Sequence, residues 1–193
     1  MELIFATHNP NKLKEVQIMM PDHIKLLSLS DIGLQDDIPE TSDTIAGNAI
    51  QKVNYVKQRF DLPVFADDTG LEVLSLNNEP GVYSARYAGD HKNSNDNMDL
   101  LLNKLENSTD RKARFVTVIA LALNRHELIF EGVCEGEITK ERSGKKGFGY
   151  DPIFKPNGYE TTFAEMSLTE KATISHRGIA LRRLIDYLSN DVN

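Results

Sequence analysis

A chain of 193 residues with 40% apolar and 26% charged residues suits one large domain or two small lobes sharing a core, and it can bury roughly 70% of its unfolded surface without staples. A net charge of −7 argues against a nucleic acid polymer as partner, since wrapping one needs a basic face, but a small phosphorylated ligand stays open. No apolar run approaches the ~20 residues of a membrane span, Met1-Glu2-Leu3-Ile4-Phe5 lacks the basic start of a leader, and the lone Cys134 excludes an internal disulfide, so a reducing cytoplasm is expected.

Residues 2–6 read as a short buried strand. Asn9-Pro10 follows as N-cap and first turn of a helix that carries Leu13, Val16 and Met20 inward. A second strand is predicted at 24–29, and 36–43 is an acidic loop around Pro39 with Asp36, Asp37, Glu40 and Asp43. From about Thr44 a helix places Ile45, Ala49, Val53 and Val56 at helical spacing. A strand at 63–66 runs into Asp67-Asp68-Thr69-Gly70, and 71–76 resumes as a strand. Asn77-Asn78-Glu79-Pro80-Gly81 reads as a turn. Ser94 is placed to cap a helix burying Met98, Leu101, Leu102 and Leu105.

The almost unbroken apolar stretch 113–123 predicts a strand covered on both faces. Asn124-Arg125-His126 turns the chain into a long strand at 127–139, interrupted by Gly132 and Gly136. A glycine-rich loop covers 143–151, Lys155-Pro156-Asn157-Gly158 is a tight turn, and Ser175 caps a last helix with Leu181, Leu184, Ile185 and Leu188 inward. Early alternation of strands and helices followed by a long antiparallel pair predicts an α/β fold with a mixed central sheet flanked by helices.

Several segments bear residue types that suit phosphate and metal chemistry. Thr7-His8-Asn9-Pro10-Asn11-Lys12 lies where a strand ends and a helix begins, so exposed helix N–H groups and Lys12 can meet an anion; an ordinary capped helix with a surface lysine is the alternative. Asp67 and Asp68 are adjacent carboxylates that need a cation or partner, and Mg²⁺ takes carboxylate and phosphate oxygens together. Thr69 can donate to a phosphate and Gly70 permits close approach, but the same four residues also make a polar turn between two strands. Glu40 is a possible second metal ligand in a loop that is otherwise simply solvated. Asn48 and Lys52, four apart, share one helix face and meet either a ligand or water.

The loop Ser143-Gly144-Lys145-Lys146-Gly147-Phe148-Gly149-Tyr150-Asp151 fits neither a Walker loop nor a dinucleotide fingerprint. It can present Phe148 to a base, or it is a connector with a basic tip. His176 and Arg177 sit at a helix start, where the dipole opposes cations, and read as functional or as a surface pair. Cys134 lies in a strand pattern and belongs to the core, and the remaining histidines show no metal spacing.

Together these segments resemble the inosine triphosphate pyrophosphatase family over nearly the whole chain. The motifs run in the family's order: Thr7-x-Asn9-x-x-Lys12, Pro39-Glu40-Thr41, Asn48-Ala49-x-x-Lys52, Ala66-Asp67-Asp68-Thr69-Gly70-Leu71, Pro80-Gly81-Val82-Tyr83-Ser84-Ala85-Arg86-Tyr87, Gly147-Phe148-Gly149-Tyr150-Asp151-Pro152, and Lys171 with Ser175-His176-Arg177-Gly178. The resemblance implies a single domain over 1–193, with two lobes and an active-site cleft between them. It implies Mg²⁺-dependent hydrolysis between the α- and β-phosphates of ITP, dITP and XTP, giving monophosphate and pyrophosphate. It implies metal binding at Glu40 and Asp68, with Asp68 also the proton acceptor for water. Substrate contacts are implied for Thr7, His8, Asn9, Pro10, Asn11, Lys12, Lys52, Thr69, Phe148, Gly149, Tyr150, Asp151, Lys171, His176 and Arg177, the last two at the base. A homodimer is implied as well, with 82–90 (Tyr83 and Tyr87) as a possible contact.

One departure stands out. Many members carry a Glu just before the Asn-Ala pair, where this chain has Gly47, so Asp43 or water is expected to stand in if that Glu holds metal. The chemistry is physically consistent: Mg²⁺ with Lys12, Lys52 and Lys171 neutralises most of a triphosphate's charge, and a donor such as Arg177 or a backbone N–H accepts a 6-oxo base while opposing adenine's 6-amino group. The same logic does not reject guanine, which also carries a 6-oxo group. A related pyrophosphatase for modified pyrimidine or standard nucleotides, and a nucleotide-binding regulator without hydrolysis, are the competing readings.

Overall fold

The computed structural model describes residues 1–124 and 126–191. In chain order the elements are β1 (Glu2–Phe5), α1 (Pro10–Gln17), β2 (Lys25–Leu27), α2 (Ile45–Lys57), β3 (Val64–Val73), β4 (Glu79–Gly81), α3 (Ser94–Lys104), β5 (Lys112–Leu123), β6 (His126–Ile138), β7 (Phe154–Pro156), α4 (Leu168–Ile174) and α5 (His176–Asp191). The strands form a seven-stranded sheet in the order β2-β1-β3-β5-β6-β7, with β4 paired to β3 off this path. β1 runs parallel to β2 and β3, whereas β4 on β3 and β7 on β6 are antiparallel, so the sheet is mixed as the sequence predicts.

The chain divides into two compact units, and β3, β5 and β6 each pass from one to the other. The first unit takes Met1–Asp68, Thr117–Gly132 and the stretch from Arg177 onward. Its core joins Leu3, Phe5 and Phe65 of the sheet to Val16 of α1 and to Leu181, Leu184 and Leu188 of α5. Phe5 and Phe65 stack with centroids 4.5 Å apart. The second unit takes Thr69–Val116 and Val133–His176. Its core holds Leu71, Val73, Met98, Leu101, Phe115, Tyr150, Phe154 and Phe163, and the buried Cys134 lies among them.

Local signals account for several boundaries. Asn9 caps α1, its side chain accepting from the N–H groups of Asn11 and Lys12, and Thr44 caps α2 through Gly47 N–H. α1 ends at Gln17, so Met20 lies beyond the helix and packs on the core from the following turn. β2 is shorter than the predicted 24–29. Asn93 rather than Ser94 caps α3, because its side chain reaches the N–H groups of Asn95 and Asp96. Asn77 and Asn78 take left-handed backbone, which makes the predicted turn there, but Glu79–Gly81 is already strand. Likewise Lys155 and Pro156 end β7 before the turn at Asn157-Gly158. Arg125 of the predicted 124–126 turn lies outside the described residues.

The largest correction falls on 63–76. Asp67-Asp68-Thr69-Gly70 is not a turn: β3 runs unbroken from Val64 to Val73, and a short 3-10 turn takes Leu74–Leu76. Side chains alternate across a strand, so each carboxylate has one face to itself, and cations on both faces remove the need to bring either to a loop. Sequence reading also missed α4, although Ser167 and Glu170 close a capping box at its start. Among the described residues no helix is long and apolar enough to cross a membrane.

Candidate active site

In the first unit the site is built around β3. Phe65 packs on the face that α1 and α5 cover, and Asp67, two residues on, opens to the same face. There Lys12 Nζ stands 3.1 Å from Asp67 Oδ1 and Arg177 Nε stands 2.9 Å from Oδ2. Arg177 Nη1 also bonds Glu15 Oε2 of α1. Asp67 and Arg177 are 1% and 2% exposed, so these are buried ion pairs, not the surface pair that stood as one alternative for His176 and Arg177. Glu15 carried no sequence-based assignment; its only signal is its place three residues after Lys12 on the same helix.

The electrostatics of this cluster are unequal. Burial pushes the Asp67 carboxyl up, but Lys12, Arg177 and Lys52 outweigh it and hold it well below the usual carboxylate range. Burial lowers the Lys12 ammonium, and the neighbouring Lys52 and Arg177 keep it low despite Asp67. Burial also works against Arg177, yet Asp67 and Glu15 raise it above its ordinary value. Asp67 faces several cations, whereas Lys12 shares one carboxylate with other cations, so the two partners move in the directions given.

Asp68 opens to the opposite face, toward α2. Its Oδ1 lies 3.1 Å from Lys52 Nζ and its Oδ2 accepts from Asn48 Nδ2 at 3.3 Å. Lys52 also bonds Glu40 Oε1 at 2.7 Å. Asn48 and Lys52, one turn apart, thus share the predicted face, and that face meets the catalytic candidate itself. Burial lowers the Lys52 ammonium, but Asp68 and Glu40 more than restore it and leave it raised. Glu40 and Asp68 are brought to one ammonium as hard oxygen donors, a set that fits Mg²⁺ completed by substrate phosphates. Among the described residues no group of three or more His, Cys, Asp or Glu side chains gathers for a metal.

Gly47 stands on the first turn of α2, where a Cβ would come within 1.9 Å of Ser42 Oγ. Ser42 therefore fills the space that a side chain at position 47 would need, and Asp43 is exposed. The segment from Thr7 to Lys12 departs from one expectation. The N–H groups of Asn11 and Lys12 are taken by Asn9 Oδ1, Pro10 has none, and Leu13 N–H bonds Asn9 O. An anion there meets side chains rather than bare helix amides. Thr7 Oγ1 accepts from Asn9 N–H at 3.1 Å, and His8 Nε2 pairs with Asp36 O of the acidic loop at 2.9 Å.

The second unit holds the other group of predicted residues. Lys171 Nζ lies 2.6 Å from Asp151 Oδ2, and the same oxygen accepts from Phe148 N–H at 2.8 Å. Gly147 has a φ of +72°, and a Cβ there would fall 2.0 Å from that oxygen, so only glycine allows the loop to fold over Asp151. The Lys171 ammonium sits 5.0 Å from the Phe148 ring centroid and 5.4 Å from that of Phe163. Lys145 and Lys146 both donate backbone N–H to Ala164 O, so the loop is tied down rather than a simple connector. Gly149 has left-handed backbone at φ +62° with open space around it. Tyr150 turns into the core and donates its hydroxyl to Ser84 O at 2.9 Å, and burial pushes that hydroxyl up. His176 is buried and stacks on Phe115, with centroids 4.4 Å apart and planes at 16°. Thr69 follows Asp68 on β3 and is half-buried.

Comparison with known proteins places this geometry among relatives. The model of the Ham1 family matches residues 3–187. A dITP/XTP pyrophosphatase of Christiangramia forsetii is 60% identical over 189 residues, which are 98% of this chain and 100% of that protein. One from Flavobacterium psychrophilum is 58% identical, covering 98% and 100%. Among solved structures, a Ham1 protein of Staphylococcus aureus superposes with a TM-score of 0.89 at 40% identity, covering 99% of this chain and 100% of that one. A HAM1 protein of Coxiella burnetii gives 0.90 at 42% identity, covering 98% of each.

Proposed function

Because the chain belongs to the Ham1 family, we propose that it is a Mg²⁺-dependent pyrophosphatase that converts ITP, dITP and XTP to the monophosphate and pyrophosphate. It thereby removes deaminated purines from the nucleotide pool. The observation that carries this reading is the meeting of Glu40 and Asp68 on the single ammonium of Lys52. In the first unit Lys12, Lys52 and Arg177 stand with Glu15, Glu40, Asp67 and Asp68, so three cations face four carboxylates and one negative charge is in excess. A divalent cation reverses that excess and suits a polyphosphate.

Glu40 and Asp68 hold Mg²⁺ in this reading. Bound there, the ion would supply charge neutralisation for the polyphosphate and for the departing pyrophosphate. Asp68 orients the attacking water and accepts its proton. Lys12 and Lys52, with the Thr7–Asn11 side chains and Thr69, hold the phosphates. Phe148 stacks on the base, Asp151 and Lys171 keep the loop in place, and His176 borders the base. A backbone N–H of the 147–151 loop donates to the 6-oxo group, which turns adenine's 6-amino group into a donor facing a donor. Arg177 enters chiefly through Asp67.

We extend the proposal to one working domain over the whole chain, to a homodimer in solution, and to the cytoplasm as its location. Tyr83, 52% exposed, is the large apolar side chain offered to the dimer contact. Turnover of dITP and dATP with Mg²⁺ tests the main reading. Pyrophosphate and dIMP are expected from dITP with little from dATP. Comparable rates, or orthophosphate from dITP, overturn it.

A further inference from the structure

Beside the pairs Lys52–Glu40 and Tyr55–Asp36, three hydrogen bonds to side-chain amides fasten the Thr41-Ser42 end of the acidic loop to α2. Thr41 N–H donates to Gln51 Oε1 at 2.9 Å, Gln51 Nε2 donates to Thr41 Oγ1 at 2.9 Å, and Ser42 N–H donates to Asn48 Oδ1 at 2.9 Å. The loop comes this close because residue 47 is glycine: any side chain there would strike Ser42 Oγ and Ser42 Cβ, at 1.9 and 2.7 Å from an added Cβ. Asn48 is 2% exposed, and its two amide atoms are assigned without ambiguity. Ser42 N–H can only donate, so it fixes Oδ1, and the carboxylate of Asp68 can only accept, so it fixes Nδ2. The chain of bonds Ser42–Asn48–Asp68 therefore has one direction. With Lys52 on Oδ1 and Asn48 on Oδ2, the Asp68 carboxylate has its rotation set from two sides by one helix face.

We propose that Asn48 is a positioning residue that sets the rotation of the Asp68 carboxylate, and that the seating of the acidic loop over Gly47 is what holds Asn48 in the required orientation. The amide of Asn48 thereby links the loop that carries Glu40 to the carboxylate that activates water, beside the Lys52 ammonium that touches both. The inference rests on the assignment of Asp68 as proton acceptor made above. It also gives Gly47 a purpose: the loop's own Ser42, not an acidic side chain at position 47, completes this corner of the site.

Asn48→Asp separates the two bonds. It is nearly isosteric and keeps an acceptor for Ser42 N–H, but it replaces the donor to Asp68 with a carboxylate. Amide hydrogen exchange of Ser42, measured by NMR on the metal-free protein, reads the loop; steady-state turnover of dITP reads the carboxylate. The expected result is unchanged Ser42 protection with kcat lower by about 10²-fold and KM little changed, the cost of a misplaced reacting group. Gly47→Ala keeps the donor and favours helix, yet unseats Ser42, so it loses Ser42 protection and lowers kcat as well. A kcat within twofold of the parent in Asn48→Asp overturns the proposal. So does a fall in its kcat accompanied by loss of Ser42 protection, which would make Asn48 a loop support only. Asp68→Asn serves as the control: if it turns over dITP like the parent, the assignment of Asp68 fails. If it is inactive while Asn48→Asp is fully active, only the present inference fails.

Discussion

Asp67 and Asp68 are consecutive, yet they open to opposite faces of β3, Asp67 to Lys12 and Arg177 and Asp68 to Lys52 and Asn48. The period of two along a strand gives two neighbouring carboxylates separate surroundings. One is enclosed in a buried ion network with its proton held off. The other shares its cation with Glu40 on an adjoining loop. Each surrounding makes a different experimental demand.

Asp68→Asn is expected to keep nucleotide binding and to lower dITP turnover by about 10²–10⁴-fold, the range of a lost general base. Calorimetry with a non-hydrolysable analogue and a pyrophosphate release assay give the two readings. An unchanged rate removes Asp68 from the chemistry. Loss of binding together with rate makes it mainly a ligand-holding group.

Asp67→Asn acts on stability. It leaves Lys12 and Arg177 short of a buried counter-charge, a change worth about 3–5 kcal/mol at neutral pH. Because the folded-state carboxyl of Asp67 lies below its unfolded value, the unfolded chain takes up the proton first as pH falls. The contribution is whole above about pH 5 and shrinks as pH drops further, by about 1 kcal/mol at pH 3. Urea unfolding of parent and variant at pH 7 and pH 3 measures the gap, which should narrow in acid. An equal gap at both values contradicts the assignment.

Phe148→Ala tests the second unit. Stacking of a base on an aromatic ring is worth about 1–3 kcal/mol, so affinity for dITP should fall by about tenfold or more. The Asp151–Lys171 pair lies beneath the loop and should persist, leaving the melting temperature close to that of the parent. A rise in KM for dITP without a matching loss of affinity for free pyrophosphate places Phe148 at the base. Equal losses for both ligands place it elsewhere.

Removal of divalent cations by a chelator should abolish turnover, and Mg²⁺ should restore it. Glu40→Gln is expected to raise the Mg²⁺ concentration needed for half-maximal rate by about tenfold, because a hard cation loses one of its two charged oxygen donors. Activity that survives exhaustive chelation contradicts the metal assignment.

Cys134 should be silent. Burial pushes its thiol up to about 11, which leaves about one thiolate in a thousand at pH 8. A disulfide reagent at that pH should label it only on unfolding, with turnover unaffected beforehand. Rapid labelling of the folded chain contradicts its place in the core.

The sequence by itself determined the mixed α/β fold, the caps at Asn9 and Thr44, the shared face of Asn48 and Lys52, and the family, because each depends on local spacing or on motifs in fixed order. It misplaced the acidic pair in a turn, since Asp and Gly next to each other favour turns wherever no partner is known. Only the tertiary structure supplied those partners: Lys12 and Arg177 lie 55 and 110 residues from Asp67, Lys52 lies 16 from Asp68, and together they let β3 continue through two charges. Glu15 escaped notice for the same reason, its partner Arg177 being 162 residues away. A carboxylate's role is set by the charges that surround it, and chain spacing does not disclose charges brought together by folding.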